Sequence, residues 1–277
     1  MGNLEHVERD WDDEFANMAH IPGSEALPDL WSANASKYRD ELASVELSVP
    51  YGSHARESMD IFWPEGAPKG LLVFVHGGYW IRLDKSYWSD LAEGARSQGW
   101  AVCMPSYVLA PEVNISHITK RIAEAITTAA KLVQGPIRLA GHSAGGHLVS
   151  RMICDDTPLS KDVLDRLEHV VSISGVHDLR PLLKTKMNED FRLDLAEATA
   201  ESPVLHTPIR PINLTCWVGG GERPEFIRQS QLFAQMWDGL GATTHCVVDQ
   251  AHDHFSVIEG LKDPQSPLTR AVLKSVE

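Results

Sequence analysis

The residues Gly141-His142-Ser143-Ala144-Gly145 follow one apolar run and precede a helical pattern. At a strand-to-helix junction, G-x-S-x-G turns a serine into a nucleophile. The sharp turn strains the serine backbone and pushes its Oγ into the open, and the glycines leave room for the bend. The new helix directs free N–H groups and its positive end at the reacting oxygen. Ser143 is therefore the candidate nucleophile, against the plainer reading of a structural turn. A second motif, His76-Gly77-Gly78-Tyr79-Trp80, stands at the end of another apolar run. The N–H groups of Gly77, Gly78 and Ala144 would together form an oxyanion hole. His76, Tyr79, Trp80 and His142 are candidates for the walls of a substrate pocket. Packing in a tight strand-end turn is the alternative.

A serine hydroxyl needs a base, and the base needs an acid that holds its tautomer. With a nucleophile elbow of this kind the chain order is serine, acid, histidine. His252 and His254 fall in the loop after the last strand-like run. His254 is preferred because Phe255 and a final helix follow it. His245 lies within the run itself and reads as a packed side chain. A metal site at His252, Asp253 and His254 lacks a further ligand, and no metal or cofactor is expected. The acid is sought after the run at 213–219, where Glu222 precedes a helix opened by Pro224. Glu225, which would suit the start of that helix, and Asp249 are the alternatives.

These residues must be carried by strands and helices in alternation. Strand-like runs at 41–49 and 58–63 predict an antiparallel hairpin. Runs at 71–76, 100–105, 137–141, 169–175, 213–219 and 243–248 predict six more strands. Helices are expected at 85–98, 115–133, 144–154 and 224–240, with a last one from 254. The pattern implies an α/β chain with a mostly parallel eight-stranded sheet flanked by helices. Residues 178–208 interrupt the rhythm and read as a cap or lid insertion. Residues 1–40 read as short helices that contribute to the same small helical cap. The 277 residues are otherwise read as a single domain.

The formal net charge is −13. That excess of acid repels nucleic acid and anionic lipid, so neither is expected as a partner. The absence of a long apolar run predicts no membrane span. The acidic start MGNLEHVERDWDDEF resembles neither a secretory signal nor a transit peptide, and a cytoplasmic location is expected. Cys103, Cys154, Cys216 and Cys246 show no CxxC pairing. Cys103, Cys216 and Cys246 lie in strand-like runs and read as buried free thiols. The composition leaves room for a homodimer.

HGGYW, GHSAGGHL and the late HDHF resemble the hormone-sensitive-lipase-like and arylformamidase branches of the α/β-hydrolases. SGVHDLRPLL at 174–183, SPV at 202–204 and the segment 218–230 resemble the arylformamidase (kynurenine formamidase) branch more closely. The resemblance spans roughly residues 60–260. It implies Ser143 as nucleophile, Glu222 as acid and His254 as base. Members commonly have Asp where this chain has Glu222. It further implies an acyl hydrolase for a small ester or amide, with N-formylkynurenine or a related formamide as substrate. A general carboxylesterase or lactonase carries the same motifs. A non-catalytic binding protein of this fold usually lacks a member of the triad.

Overall fold

The computed structural model describes residues 9–274, so the first eight residues of the N-terminal segment lie outside the described residues. Eight strands form one sheet: β1 Val45–Pro50, β2 Ser58–Phe62, β3 Leu71–Val75, β4 Ala101–Pro105, β5 Ile137–His142, β6 Leu167–Ile173, β7 Ile212–Gly219 and β8 Ala242–Asp249. Their order is β1-β2-β4-β3-β5-β6-β7-β8. β2 runs antiparallel to both β1 and β4, and the other neighbours are parallel. The expected mostly parallel α/β architecture is therefore the observed one.

The central strands are continuous apolar runs because both faces are covered. Leu71, Val73 and Val75 of β3 enter one core, and Leu72 and Phe74 enter the other. The first core is closed by the helix Ile115–Leu132, whose Ile115, Ile118, Ile122 and Ile126 are buried at helical spacing. Leu268 and Val272 of the helix Pro267–Leu273 join the second.

Four expectations need correction. Residues 85–98 do not form one helix: two 3-10 turns, Lys85–Tyr87 and Ser89–Ala92, lead into the short helix Glu93–Arg96. Asp84 caps the first turn by accepting the Ser86 N–H, which starts a tight turn in place of a continuous helix. No helix begins at 254 either. Asp253 takes the Phe255 and Ser256 N–H groups on its side chain, and regular helix is delayed to Pro267–Leu273. His245 and Cys246 are exposed rather than packed, because β8 is the edge of the sheet.

Residues 178–208 fold into short helical pieces, including Arg180–Lys184, Asn188–Phe191 and Leu195–Ala200. Leu179, Leu182 and Phe191 fix them to the first core. Polar ties add to this: Gln229 Oε1 accepts the His177 and Asp178 N–H groups, and Glu201 accepts from Thr119 and Arg151. The N-terminal segment holds a short helix, Trp11–Glu14, and a longer one, Leu27–Glu41. Phe15 packs edge-on against Phe226, and Trp31 packs on Trp88 and Phe255. Asp13 pairs with Arg223, and Asp12 accepts the Lys186 N–H at 2.7 Å.

Candidate active site

β5 ends at His142, and the helix Ala144–Arg151 starts one residue after Ser143. Ser143 sits between them at φ 55°, ψ −116°. That backbone is costly for any residue with a side chain, about 1–3 kcal/mol. The tertiary structure holds it: the Ser143 N–H donates to the Ile173 carbonyl at 2.8 Å, and its carbonyl accepts from His147. The elbow also requires glycine at 145. A Cβ there would stand 1.9 Å from the Val75 carbonyl oxygen, so β3 and the helix could not approach.

His254 is brought to the same place from the loop after β8. Its Nδ1 lies 2.6 Å from Glu222 Oε2, and both side chains are buried. The other carboxylate oxygen of Glu222 accepts from Ser174 Oγ at 2.5 Å and from the Gly219 N–H at 2.7 Å. The carboxylate is therefore held by three donors and can orient the imidazole. Neighbouring parallel strands explain the convergence, since β6 delivers Ser174 and β7 delivers Gly219 and Glu222 at the same sheet end. Ser143 and His254 line one cavity, with Gly77, Gly78, Tyr79 and His142. Among the described residues no hydrogen bond joins Ser143 Oγ to His254. Such bonds often tighten only when substrate is bound.

The alternatives are placed elsewhere. Glu225 is buried but paired with Arg228 and Arg9, and it accepts from Gln229. Asp249 accepts the Ala251 N–H within its own turn. His252 Nδ1 faces Ser256 Oγ at 3.3 Å. His254 Nδ1 is taken by Glu222, so the His252–Asp253–His254 run does not converge on a metal. Cys154, Asp156 and His206 do converge. Arg151 already occupies both Asp156 oxygens at 2.8 Å, and the His206 nitrogens face Asp155 and the Ala200 carbonyl.

Among the described residues the N–H groups of Gly77, Gly78 and Ala144 have no protein acceptor. Ala144 opens its helix, where an N–H has no intrahelical partner. Gly78 adopts φ +113°, and its carbonyl accepts from Ile81 and Arg82, closing a tight loop. Tyr79 and Trp80 then follow with φ of 50° and 59°. These consecutive left-handed residues send the two rings apart. Tyr79 lines the cavity and donates its hydroxyl to the Phe15 carbonyl. Trp80 turns under the loop, fully buried, edge-on to His147 and Phe191. Trp80 is thus a core residue rather than a pocket wall. His76 also faces away from the cavity, stacked on Tyr107 at 4.5 Å, and burial pushes its imidazole down to about 4. His142 does line the cavity. Burial, and then the neighbouring His254, hold its imidazole well below the usual range, and its Nε2 lies 2.8 Å from the His254 carbonyl. A neutral His142 can donate that proton and fix the His254 backbone.

Apart from Phe255 of the HDHF run, the remaining walls had no motif to announce them. Met18, Pro28 and Trp31 come from the N-terminal segment, and Arg82, Leu83, Trp88 and Phe255 from loops. Among the described residues none from 178–208 lines this cavity. Its walls include the aromatic side chains of Trp31, Tyr79, Trp88 and Phe255, and its volume of about 50 Å³ has room for a few water-sized spheres.

A family model described as alpha/beta hydrolase fold matches residues 72–255. The kynurenine formamidase of Danio rerio is 28% identical over 239 residues, covering 83% of this chain and 81% of that one. A Silicibacter protein solved as a candidate thioesterase superposes with a TM-score of 0.89 at 48% identity, covering 96% of this chain and all of that one. The hyperthermophilic esterase of the archaeon Pyrobaculum calidifontis shares the fold, with a TM-score of 0.66 at 16% identity over 90% of this chain and 91% of that one.

Proposed function

The chain belongs to the α/β-hydrolase fold family, and on that premise we propose that it is a serine hydrolase whose substrate is an aryl formamide such as N-formylkynurenine. The observation that carries the reading is that Ser143, on its strained elbow, shares one aromatic cavity with His254, whose Nδ1 is held by the buried Glu222. In this mechanism His254 Nε2 takes the Ser143 proton as Oγ attacks the carbonyl. The N–H groups of Gly77, Gly78 and Ala144 receive the oxyanion, each supplying about 3 kcal/mol of transition-state stabilisation. His254 then gives the proton to the leaving amine or alcohol. Water, deprotonated by His254, releases the acid and restores Ser143. Residues 1–40 and 178–208 are read as the cap, and Met18, Pro28 and Trp31 of the former line the pocket.

The formamide is favoured by the small cavity between aromatic walls and by the kinship with kynurenine formamidases. A second reading, a thioesterase or carboxylesterase, is favoured by the 48% identical relative. Hydrolysis of N-formylkynurenine, short p-nitrophenyl esters and short acyl thioesters by wild type and Ser143→Ala separates the two. Fast deformylation that is lost in Ser143→Ala is expected. Ester or thioester cleavage without deformylation would replace the formamide by the second reading. Undiminished turnover by Ser143→Ala would remove the serine mechanism.

A further inference from the structure

His142 immediately precedes Ser143 and lines the same cavity, and one nitrogen of its ring has no task in the mechanism above. Its Nε2 lies 2.8 Å from the His254 carbonyl oxygen. A carbonyl oxygen only accepts, so Nε2 carries the proton and Nδ1 keeps a bare lone pair. Burial, and then the neighbouring His254, keep the ring neutral, so Nδ1 is not filled by a second proton. Among the described residues Nδ1 has no hydrogen-bond partner. His76, His147 and His177 also leave one nitrogen without a partner, but those three are sealed in the interior and His142 Nδ1 is not.

Gly77 shows where that lone pair lies. A Cβ on Gly77 would stand 3.2 Å from His142 Nδ1 and 3.0 Å from Ser143 Cβ. Unlike Gly78, Gly77 does not have a left-handed backbone, so it is the missing side chain that matters at this position. Its absence leaves the nitrogen uncovered. Nδ1 therefore opens beside the attacking serine and beside the Gly77 N–H of the oxyanion hole. The His142 and His254 rings lie 4.7 Å apart, centre to centre. Two imidazoles thus flank the reacting carbonyl with different duties. His254, held by Glu222, moves the proton, and His142 is fixed as an acceptor.

We infer that His142 Nδ1 accepts the N–H of the scissile amide, and that this bond makes the site favour an amide over the ester of the same acid. This rests on the reading of Ser143 as the attacking group and of the substrate as a formamide. In the tetrahedral intermediate the amide nitrogen takes the His254 proton on its lone pair, and its own N–H must point to another group. The C–N bond then breaks, and the amine leaves with both hydrogens. An ester oxygen has no hydrogen to give, and it meets the Nδ1 lone pair with a lone pair of its own. A site built to hydrogen-bond an N–H discriminates against the analogue that lacks it. Water that attacks the acyl-enzyme enters where the amine left, and its second O–H falls to the same nitrogen.

The test compares formanilide with phenyl formate, which share the formyl and phenyl groups and differ only in N–H against O. Comparing the ratio of their kcat/KM values between variant and wild type cancels intrinsic reactivity. In His142→Gln the side-chain amide reaches the place of Nε2 and can still hold the His254 carbonyl, but nothing polar stands at the place of Nδ1. Its amide-to-ester ratio is expected to fall at least about threefold, the scale of one hydrogen bond between neutral groups. In His142→Asn the side-chain oxygen stands near the place of Nδ1, and the ratio is expected to stay within about threefold even where both rates drop. His142→Leu lacks both nitrogens and should show the same fall in ratio as His142→Gln, which it replaces should that variant not fold. A smaller fall in the Gln and Leu variants, or an equal fall in His142→Asn, overturns the role. If His142 only steadies His254, both substrates slow together and the ratio stays unmoved, which also overturns it. Should formanilide be cleaved by wild type and not by Ser143→Ala while the ratio stays unmoved, the His142 role alone falls. Should wild type cleave phenyl formate and no formanilide, the formamide reading falls and this role with it.

Discussion

Acidification from about pH 7.5 to about pH 5.5 should strongly destabilise this protein, because five histidines are buried as neutral imidazoles. Burial is the first cause in each. It pushes His76 and His169 down to about 4 and His147 to about 3, and it holds His142 and His177 well below their usual range. The unfolded chain protonates the same side chains near 6.5. The unfolded state therefore binds more protons below that pH, and stability falls as pH falls. The contribution is complete above about 6.5 and is lost progressively toward about 4. At about pH 5.5 each histidine costs about 1.4 kcal/mol, and the five together about 7 kcal/mol. A domain of ordinary stability holds only about 5–15 kcal/mol, so the loss is comparable to the whole. Urea unfolding measured at several pH values gives the slope directly, and about four to five protons should be taken up on unfolding near pH 5.5. Replacing His169, whose Nε2 lies 3.0 Å from Thr215 Oγ1, by Asn should remove about one proton from that slope. A midpoint that stays level over this range, with fewer than about two protons taken up, would mean that the imidazoles protonate in place, and the burial argument would fail.

Three further outcomes follow from the same contacts. Glu222→Gln should lower kcat by about 10³–10⁴-fold, since an amide cannot hold the His254 tautomer as a carboxylate does; Glu225→Gln should instead lower the urea midpoint and keep kcat within a few-fold, because Glu225 serves Arg228, Arg9 and Gln229. Gly145→Ala should destabilise the fold by more than about 3 kcal/mol or prevent soluble expression, as its Cβ would meet the Val75 carbonyl oxygen. A thiol reagent should label one cysteine rapidly in the native protein, Cys246, and all four after denaturation, because the other three are buried.

Local pattern alone determined much of this protein. Five of the six later strand-like runs are short apolar runs bounded by turn residues, which suits strands covered on both faces; the sixth, at 243–248, is the exposed edge strand β8. The elbow at Ser143 was legible because glycine, serine and glycine fall where a strand must turn into a helix. The order serine, acid, histidine then narrowed the search to a few residues. What only the tertiary structure decided is which of those residues meet. Glu222 and Glu225 are three apart on one short stretch, yet one faces His254 and the other Arg228. Ser174, which steadies Glu222, lies 48 residues away and meets it because β6 and β7 end side by side. Trp80 reads like a pocket residue beside Tyr79, and two successive left-handed residues turn it into the core. Met18 and Trp31 form pocket walls although their segment carries no catalytic motif. Periodicity records which face of an element is apolar. It does not record which distant element will cover that face, and the pocket is built from that covering.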